Sequence, residues 1–286
     1  DRLSQVVVEG QSESDFTVKE KMSGKQYAVK RLNKQTGETQ SSHTNRILHD
    51  FRMFSDFHHP AIIKPHGISL SDFDNNPQPI IMLEYLSNGS LQNIVEQLDQ
   101  GISLPSWNNT KLLINLYGIA SGMSYLYSKG ILHLNLKPEN ILLDSNYYPK
   151  ISDFKLSHYY TFPYILEDDL AQMSTSSEKS APLKSGTLLY TSPEMHFADS
   201  FSTKSDVYAF GMIVFRLFEP IPPNLNDDED GELLFPDFKM PEFTKPIPAC
   251  FQELIEHCCS ENQQKRPSFE EIVHMFITNR CFITEL

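Results

Sequence analysis

A change in character about a third of the way along the chain constrains its fold most. Before the change, short β-branched or aromatic segments surround a single helical pattern, and after it most segments have the spacing of amphipathic helices. The sequence Asn88-Gly89-Ser90 at the change is typical of a turn. The sequence therefore predicts an α+β fold with two lobes and a cleft between them. The small β-rich N-lobe, with one main helix, takes residues 1–86, and the larger, mostly α-helical C-lobe takes 87–286.

The first lobe is predicted to contain four strands and one helix. The strands are expected at 6–8, 26–31, 61–64 and 79–85. The helical pattern comes from Ile47, Leu48, Phe51, Phe54 and Phe57, which recur at intervals of mostly three and four residues. We expect this helix to end at His59-Pro60, because the residue before a proline is disfavoured in a helix.

The second lobe is predicted to be mainly helical. Helices are expected at 91–98, 111–128, 206–218, 249–259 and 268–277, and short strands at 141–143 and 149–152. Residues 157–190 are rich in serine and threonine and show little periodicity. Loops of that length are usually functional or mobile, so we expect this segment to be one or the other.

Composition restricts the classes of partner and the compartment. The 286 residues carry a formal net charge of −13, which argues against a broad surface for nucleic acid or for an anionic membrane. No apolar run is long enough to span a bilayer. The four cysteines, at 250, 258, 259 and 281, include no Cys-x-x-Cys pair, and we expect free, buried thiols. These features predict a cytoplasmic domain in a reducing compartment.

Eight short motifs carry a resemblance to a known family. They are A-V-K (28–30), H-P (59–60), E-Y-L-S-N-G-S-L (84–91), H-L-N-L-K-P-E-N (133–140), S-D-F-K (152–155), G-T-L-L-Y-T-S-P-E (186–194), S-D-V-Y-A-F-G (205–211) and K-R-P-S (265–268). In this order and at these separations they resemble the protein kinases, over nearly all of the chain. N-G-S-L and H-P-A-I-I look most like the tyrosine-kinase-like group, whereas Lys-Pro-Glu is similar to serine/threonine kinases. The resemblance implies the two-lobed protein kinase fold, with ATP and Mg²⁺ as cofactors.

The resemblance implies a nucleotide site in the first lobe. Lys30 matches the strand lysine that contacts the α- and β-phosphates, and Asp50 stands where its glutamate partner is expected, one methylene shorter. Gly10 is the only glycine kept from the family's glycine-rich loop, which predicts weaker phosphate binding. The residues implied around the adenine are Val18, Ala28, Leu83, Glu84, Leu86 and Leu142, of which Glu84 and Leu86 offer backbone hydrogen bonds.

The resemblance also implies a metal site and a catalytic loop in the second lobe. Asn140 and Asp153 match the two Mg²⁺ ligands, and Lys137 matches the lysine that contacts the γ-phosphate. Asn135 stands where the family has its catalytic aspartate, which orients the incoming hydroxyl and accepts its proton. Leu134 replaces the preceding arginine, so a phosphorylated loop lacks its usual cationic partner.

Two readings of the function follow from these departures. In the first, the chain is a pseudokinase that binds ATP and serves protein partners in signalling as a scaffold or an allosteric regulator. In the second, it is an active but slow serine/threonine kinase, since positioning and metal electrostatics carry most of the catalysis.

Lys155, in place of the glycine of D-F-G, is expected to reach towards the cleft. Glu194 and Arg266 match a buried ion pair of the family, and Asp206 matches the anchor of the catalytic loop.

Overall fold

The chain divides into two compact units. The computed structural model describes residues 3–5, 15–20, 23–34, 37–73, 76–153, 189–197, 200–219 and 243–286. The units are Asp1–Ser87 and Asn88–Leu286, so the division falls one residue after the position predicted from the sequence. The first unit is a sheet with one helix and the second is mostly helical, as the sequence predicted.

The first unit is built on a five-stranded antiparallel sheet. Its strands are β1 (Leu3–Gln5), β2 (Asp15–Glu20), β3 (Gln26–Arg31), β4 (Pro65–Ser69) and β5 (Ile80–Glu84), in the spatial order β1-β2-β3-β5-β4. Gly24, with a positive φ of 71°, makes the turn between β2 and β3. Its amide donates to the carbonyl of Glu20, and this turn sets the register of the hairpin.

One face of this sheet is filled by apolar side chains from three strands. Val18, Val29 and Ile80 form a buried cluster, against which Tyr27, Phe73 and Met82 pack. Residues that face each other in an antiparallel pair lie on the same side of the sheet, and their neighbours along the strand point to the other side. The opposite face therefore carries Ala28, Lys30 and Leu83.

Helix α1 (Gln40–Ser55) begins with a capping box and ends before the predicted position. The Thr39 hydroxyl accepts the Ser42 amide at 3.1 Å, which satisfies a donor that has no partner within the helix. The buried stripe is His43, Ile47, Asp50 and Phe54. The predicted end at His59-Pro60 is wrong, because the amides of Asp56 and Phe57 already turn back to carbonyls three residues earlier.

The predicted strands of the first unit are confirmed in part. Those at 26–31 and 79–85 correspond to β3 and β5, whereas 6–8 lies outside the described residues. The strand predicted at 61–64 is wrong, since the pairing with β5 begins at Pro65. Residues 61–63 are buried, and a short buried apolar run looks the same in sequence whether it is a strand or a packed loop.

The second unit contains the predicted helices and strands, with ends within three residues of the predicted ones. Its helices are α2 (Leu91–Asp99), α3 (Asn109–Ser128), α4 (Pro193–Phe197), α5 (Thr203–Phe218), α6 (Ala249–Cys258), α7 (Phe269–Thr278) and α8 (Cys281–Thr284). A two-stranded sheet, β6 (Ile141–Leu143) and β7 (Pro149–Ile151), follows a 3₁₀ turn at Pro138–Asn140. A second 3₁₀ turn lies at Gln263–Lys265.

Helix α5 is the centre of the second unit. Every residue from Ser205 to Leu217 is buried, which is typical of a helix that is surrounded by protein on all sides. Gly211 allows α6 to approach closely, because a Cβ at this position would lie 2.6 Å from the Cys259 Sγ. At the far end of α5, the Arg216 guanidinium pairs with Asp99 of α2 at 2.6 Å.

The cysteines are only partly as predicted. Cys258 and Cys259 are buried free thiols, and burial raises the pKa of both. Cys250 and Cys281 form a disulfide that joins the start of α6 to the start of α8, so the prediction of four free thiols is wrong. The two residues are 31 positions apart, and their proximity arises only when α6 and α8 pack.

In the described part of the chain, no helix has the length and apolar character needed to cross a bilayer.

Candidate nucleotide and catalytic site

Three of the predicted nucleotide-binding residues of the first unit share one face of the sheet. Ala28 lies directly opposite Leu83, and Lys30 lies opposite Ile81. All four side chains are therefore on the same side. Lys30 is half-buried, and a lysine in such a position commonly packs its aliphatic stem along apolar surface. This face thus presents a small residue (Ala28), a branched apolar residue (Leu83) and a cation (Lys30). Such a set is suited to a nucleotide, whose base is a flat ring and whose phosphates are anionic.

Val18 is not on that face, which corrects the prediction of an adenine contact. It pairs with Tyr27 and belongs to the buried cluster on the other side of the sheet. The residue opposite Ala28 is Thr17, whose hydroxyl is buried without a hydrogen-bond partner among the described residues. Sequence reasoning missed Thr17. The Gly24 turn is the sequence signal that identifies Thr17, because the position of the turn sets which residues of β2 and β3 pair.

Asp50 takes its ionic partners from its own helix. The Arg46 guanidinium lies 3.9 Å from its carboxylate and His49 Nδ1 lies 3.6 Å away, and the side chain is buried. Burial raises the pKa of Asp50, and the neighbouring His49 and Arg46 oppose that shift. The ion pair between Lys30 and Asp50 stays a prediction.

Glu84 and Leu86 lie at the end of β5. The Glu84 amide donates to the carbonyl of Lys64 at 3.1 Å, and its carboxylate accepts the Lys64 amide at 2.8 Å. The sheet thus uses the Glu84 N–H, which restricts the backbone contact of Glu84 with an adenine to its carbonyl oxygen. Leu86 follows the strand and is half-buried.

A single buried carboxylate in the second unit shapes the catalytic loop. The Asp206 carboxylate accepts the amides of His133 and Leu134, both at 2.8 Å, and the Tyr127 hydroxyl at 3.0 Å. Leu134 has a φ of 55°, a conformation that costs a non-glycine residue about 1–3 kcal/mol. The two amides can reach one carboxylate because the chain turns in this way, so Asp206 compensates for the strain. The sequence-based anchor role of Asp206 agrees with this geometry.

His133 connects this loop to Ser152, the residue before Asp153. Its Nδ1 accepts the Asn135 amide at 3.2 Å, and its Nε2 lies 3.0 Å from the carbonyl of Ser152. An acceptor at Nδ1 requires the hydrogen to be on Nε2, which then donates to Ser152. His133 is fully buried, so the neutral ring with this tautomer satisfies both neighbours.

The Asn135 side chain makes a hydrogen bond with Asp153. The Asn135 Nδ2 donates to the Asp153 Oδ2 at 3.3 Å. Asn140 is part of the same arrangement, because its Nδ2 donates to the Asn135 carbonyl at 2.6 Å. The Asn140 carbonyl in turn accepts the amide of Ser152 at 2.8 Å. The structure thus brings together three of the predicted residues: Asn135, Asn140 and Asp153.

The donors of Asn140 and Asp153 fit a divalent cation. Since Asn140 turns its amide nitrogen towards Asn135, its amide oxygen is the atom left for a ligand. Asp153 is exposed and adds a carboxylate, and oxygen ligands of both kinds are those that Mg²⁺ prefers. One carboxylate oxygen of Asp153, Oδ2, already accepts a hydrogen bond from the Asn135 amide. The Asn135 amide therefore competes with a cation for this oxygen.

Lys137 and Leu142 flank this arrangement. The Lys137 Nζ lies 3.8 Å from the Glu139 Oε1, and the Lys137 side chain is mostly buried. Leu142, on β6, forms a bridge with Ser90, and the neighbouring Leu143 amide donates to the Gly89 carbonyl at 2.8 Å. This bridge places Leu142 beside the segment that begins the second unit. Gly10, Lys155 and nearly all of 157–190 lie outside the described residues.

The helical part of the second unit is held by the predicted ion pair. Arg266 donates from Nη1 and Nη2 to the two carboxylate oxygens of Glu194, at 2.7 and 2.9 Å. Burial opposes ionisation of Glu194, but the hydrogen bonds and charge of Arg266 outweigh it and hold the pKa of Glu194 below its ordinary value. The Ser205 hydroxyl also donates to Glu194, at 2.8 Å.

Comparison with known proteins agrees with this arrangement. Residues 5–276 match the family model for protein tyrosine and serine/threonine kinases. The chain therefore belongs to the protein kinase family, and the fold and the likeness to the tyrosine-kinase-like group are confirmed. Because the match runs through both units, it covers the lysine-bearing sheet as well as the catalytic loop.

Individual relatives come from several organisms. A protein of Dictyostelium discoideum named as a probable serine/threonine-protein kinase is 31% identical over 217 residues, 75% of this chain and 19% of the relative. Chicken (Gallus gallus) ephrin type-A receptor 5 is 29% identical over 80% of this chain and 21% of the relative. Human receptor-interacting serine/threonine-protein kinase 1 is 26% identical over 82% of this chain and 34% of the relative. The chain thus spans only a minor part of the length of these relatives.

Proposed function

We propose that this protein kinase domain binds ATP, is catalytically impaired, and acts as a scaffold or an allosteric regulator of protein partners in cytoplasmic signalling. The observation that carries the proposal is the contact between Asn135 and Asp153. Where the family has a carboxylate that accepts a proton, this chain has an amide that donates one hydrogen bond to the neighbouring carboxylate.

The chemistry of an amide explains the impairment. A carboxamide has no useful basicity, so Asn135 cannot accept the proton of an incoming hydroxyl group. Loss of a positioned general base lowers a rate by roughly 10²–10⁴. One N–H of the Asn135 amide is also engaged with Asp153, which leaves its second N–H and its amide oxygen to orient a substrate.

Nucleotide binding is supported by what the chain keeps. Ala28, Leu83 and Lys30 share one sheet face, and Asn140 and Asp153 present oxygen ligands. When bound, Mg²⁺ would supply charge neutralisation of the phosphates, and Asn140 and Asp153 would hold it. Lys30 would pair with the α- and β-phosphates, since its side chain lies on this face.

The alternative is an active but slow serine/threonine kinase that transfers the ATP γ-phosphate to protein hydroxyls. The retention of Lys137, Asn140 and Asp153 favours it, as do relatives that are themselves named kinases. In this case positioning and electrostatic stabilisation of the transferred phosphate would compensate for the missing base.

Binding is tested by the melting temperature of the purified chain with and without ATP. We expect millimolar ATP to raise the melting temperature of the wild type, because a ligand that binds only the folded state stabilises it. Lys30→Met should remove this shift, whereas Lys25→Met, which changes an exposed lysine on the same hairpin, should not. The absence of any shift in the wild type at millimolar ATP would contradict the proposed cofactor.

Catalytic impairment is tested by transfer of radiolabelled phosphate from ATP to the chain itself or to a general protein substrate. We expect little transfer by the wild type and a clear increase for Asn135→Asp. Rapid transfer by the wild type that is abolished in Asp153→Ala would favour the alternative. The Asp153→Ala variant is needed because it separates transfer by this chain from that of a contaminating kinase.

A further inference from the structure

Three residues of the second unit form a connected cluster, which we name the amide–carboxylate cluster: Asn135, Asn140 and Asp153. The Asn135 Nδ2 lies 3.3 Å from the Asp153 Oδ2, and the Asn140 Nδ2 lies 2.6 Å from the Asn135 carbonyl. Asp153 adopts a positive φ of 58°, which is an uncommon conformation for a residue with a side chain. The contact from Asn135 helps to hold its carboxylate in this orientation.

The backbone on both sides of the cluster is also fixed. The Asn135 amide donates to His133 Nδ1, and the Ser152 amide and hydroxyl both donate to the Asn140 carbonyl, at 2.8 and 3.0 Å. His133, Asn140 and Ser152 are buried. The positions from which Asn135 and Asp153 project are therefore held by contacts within the packed unit.

A carboxylate at position 135 would change the electrostatics of this arrangement. It would place one of its oxygens near the present Asn135 Nδ2, a little over 3 Å from the Asp153 Oδ2. Two negative charges at that separation repel strongly unless a cation or a proton lies between them. A divalent cation bound by oxygen ligands is the usual remedy in such a cluster.

We infer that Asn135 is a positioning residue whose amide takes over the role of a divalent cation at Asp153, so that the amide–carboxylate cluster is stable without Mg²⁺. The inference concerns the same site as the proposed nucleotide-binding function and extends it, but its test requires no nucleotide. The Asn135 N–H neutralises part of the Asp153 charge by a hydrogen bond and uses one of its oxygens. For both reasons the cluster binds Mg²⁺ weakly, and residue 135 sets the metal dependence of the site.

The experiment measures the melting temperature of the ligand-free chain in EDTA and in millimolar MgCl₂. For the wild type we expect a negligible difference between the two. For Asn135→Asp we expect a lower melting temperature in EDTA and a gain of about 2–4 °C on addition of Mg²⁺, the size of shift that a moderate stabilisation produces in a domain of this length. The charge-matched control is Asn135→Asp/Asp153→Asn, which exchanges the amide and the carboxylate and should respond to Mg²⁺ no more than the wild type.

A second measurement follows metal binding directly and remains valid if Asn135→Asp is poorly folded in EDTA. Mn²⁺ serves as the probe, and its binding is followed by the relaxation of water protons. We expect Asn135→Asp to bind Mn²⁺ roughly tenfold more tightly than the wild type, since an added carboxylate raises the charge of the ligand set. Asn135→Ala, which lacks both the amide and the charge, should lie between them.

The outcomes separate this inference from the proposed function. A wild type that gains as much melting temperature from Mg²⁺ as Asn135→Asp would overturn the inference, as would equal Mn²⁺ affinities for the two. A failure to bind ATP would contradict the proposed function and leave these ligand-free results unaffected. The predicted order of Mn²⁺ affinity, with aspartate above alanine and alanine above asparagine at position 135, supports the inference if it is found.

Discussion

The guanidinium of Arg266 forms a two-point contact with the carboxylate of Glu194, with nitrogen–oxygen distances of 2.7 and 2.9 Å. The Arg266 side chain is completely buried, and it also donates to the carbonyls of Ser260 and Lys204. Its guanidinium lies over the ring of Tyr208, 5.1 Å from the centroid. These contacts join α4, α5 and the turn before α7, so this ion pair holds the helical unit together.

Arg266→Leu is expected to destabilise the chain by about 3–5 kcal/mol, because it leaves the Glu194 carboxylate without its countercharge in a largely buried site. The free energy of unfolding in urea measures this loss. The double variant Glu194→Leu/Arg266→Leu is the control, since it removes both charges and should recover part of the loss. If Arg266→Leu costs no more than the double variant, the buried charge is not the source of the destabilisation.

The pH dependence of stability should contain a contribution from Asp206. Burial raises the pKa of Asp206 from 3.8 to about 6, against hydrogen bonds from His133, Leu134 and Tyr127 that lower it. The folded state therefore binds this proton more tightly than the unfolded state. The stabilisation is fully present below the unfolded pKa of 3.8 and is lost as the pH rises through about 6.

Between pH 4 and pH 7, the Asp206 contribution to the free energy of unfolding should fall by on the order of 3 kcal/mol. Asp206→Asn cannot ionise, so the wild type should lose stability relative to this variant as the pH rises through that window. Urea unfolding of both proteins at several pH values measures the difference. A relative stability of the wild type that increases with pH would show that the Asp206 pKa is lowered in the folded state.

Gly211→Ala should destabilise the packing of α5 against α6. The added Cβ would lie 2.6 Å from Cys259 Sγ and 2.7 Å from Cys258 Cβ, and both cysteines are buried. Overpacking of this kind costs about 1–3 kcal/mol. The loss is measured by urea unfolding.

A second substitution makes that prediction specific. Cys259→Ala removes the sulfur atom that lies nearest to the new methyl group, so Gly211→Ala/Cys259→Ala should show a smaller loss than the two single variants added together. If the losses of the two single variants are fully additive in the double variant, the new methyl group does not act through the Cys259 sulfur and the prediction is contradicted.

Reduction of the Cys250–Cys281 disulfide should lower stability. The bridge closes a segment of 31 residues, and constraint of the unfolded chain over that length is worth about 3–4 kcal/mol. The melting temperature with and without a reducing agent measures the effect, and Cys281→Ser should show no response to the reductant. Alkylation of the denatured, unreduced chain should modify two thiols, Cys258 and Cys259, and modification of all four would contradict the bridge.

Much of the fold could be predicted because the signals are local. The helices α2, α3 and α5 follow from apolar spacing over a few turns, and β3 and β5 from short runs of β-branched residues. The same signals failed at 61–64, where an apolar run is buried in a loop, and at the end of α1. In both cases a local pattern allowed two outcomes and packing selected one of them.

The candidate site divides in the same way. Motif positions identified Lys30, Asn135, Asn140 and Asp153 as candidate site residues, since the family places these side chains at recognisable points of the chain. Val18 was assigned to the wrong face, because the face depends on a strand register that only the hairpin as a whole determines.

The amino-acid sequence alone determined the order and type of most of the elements, the membership of the protein kinase family and the absence of a carboxylate at position 135, because each is encoded in residues that are close together in the chain. Only the tertiary structure decided which partner each polar group finds. It directs the Asn135 amide to Asp153, brings the Arg266 guanidinium to Glu194, and joins Cys250 to Cys281. The physical reason is that hydrogen bonds, ion pairs and disulfides need separations of a few ångströms, and packing of the whole unit sets those separations.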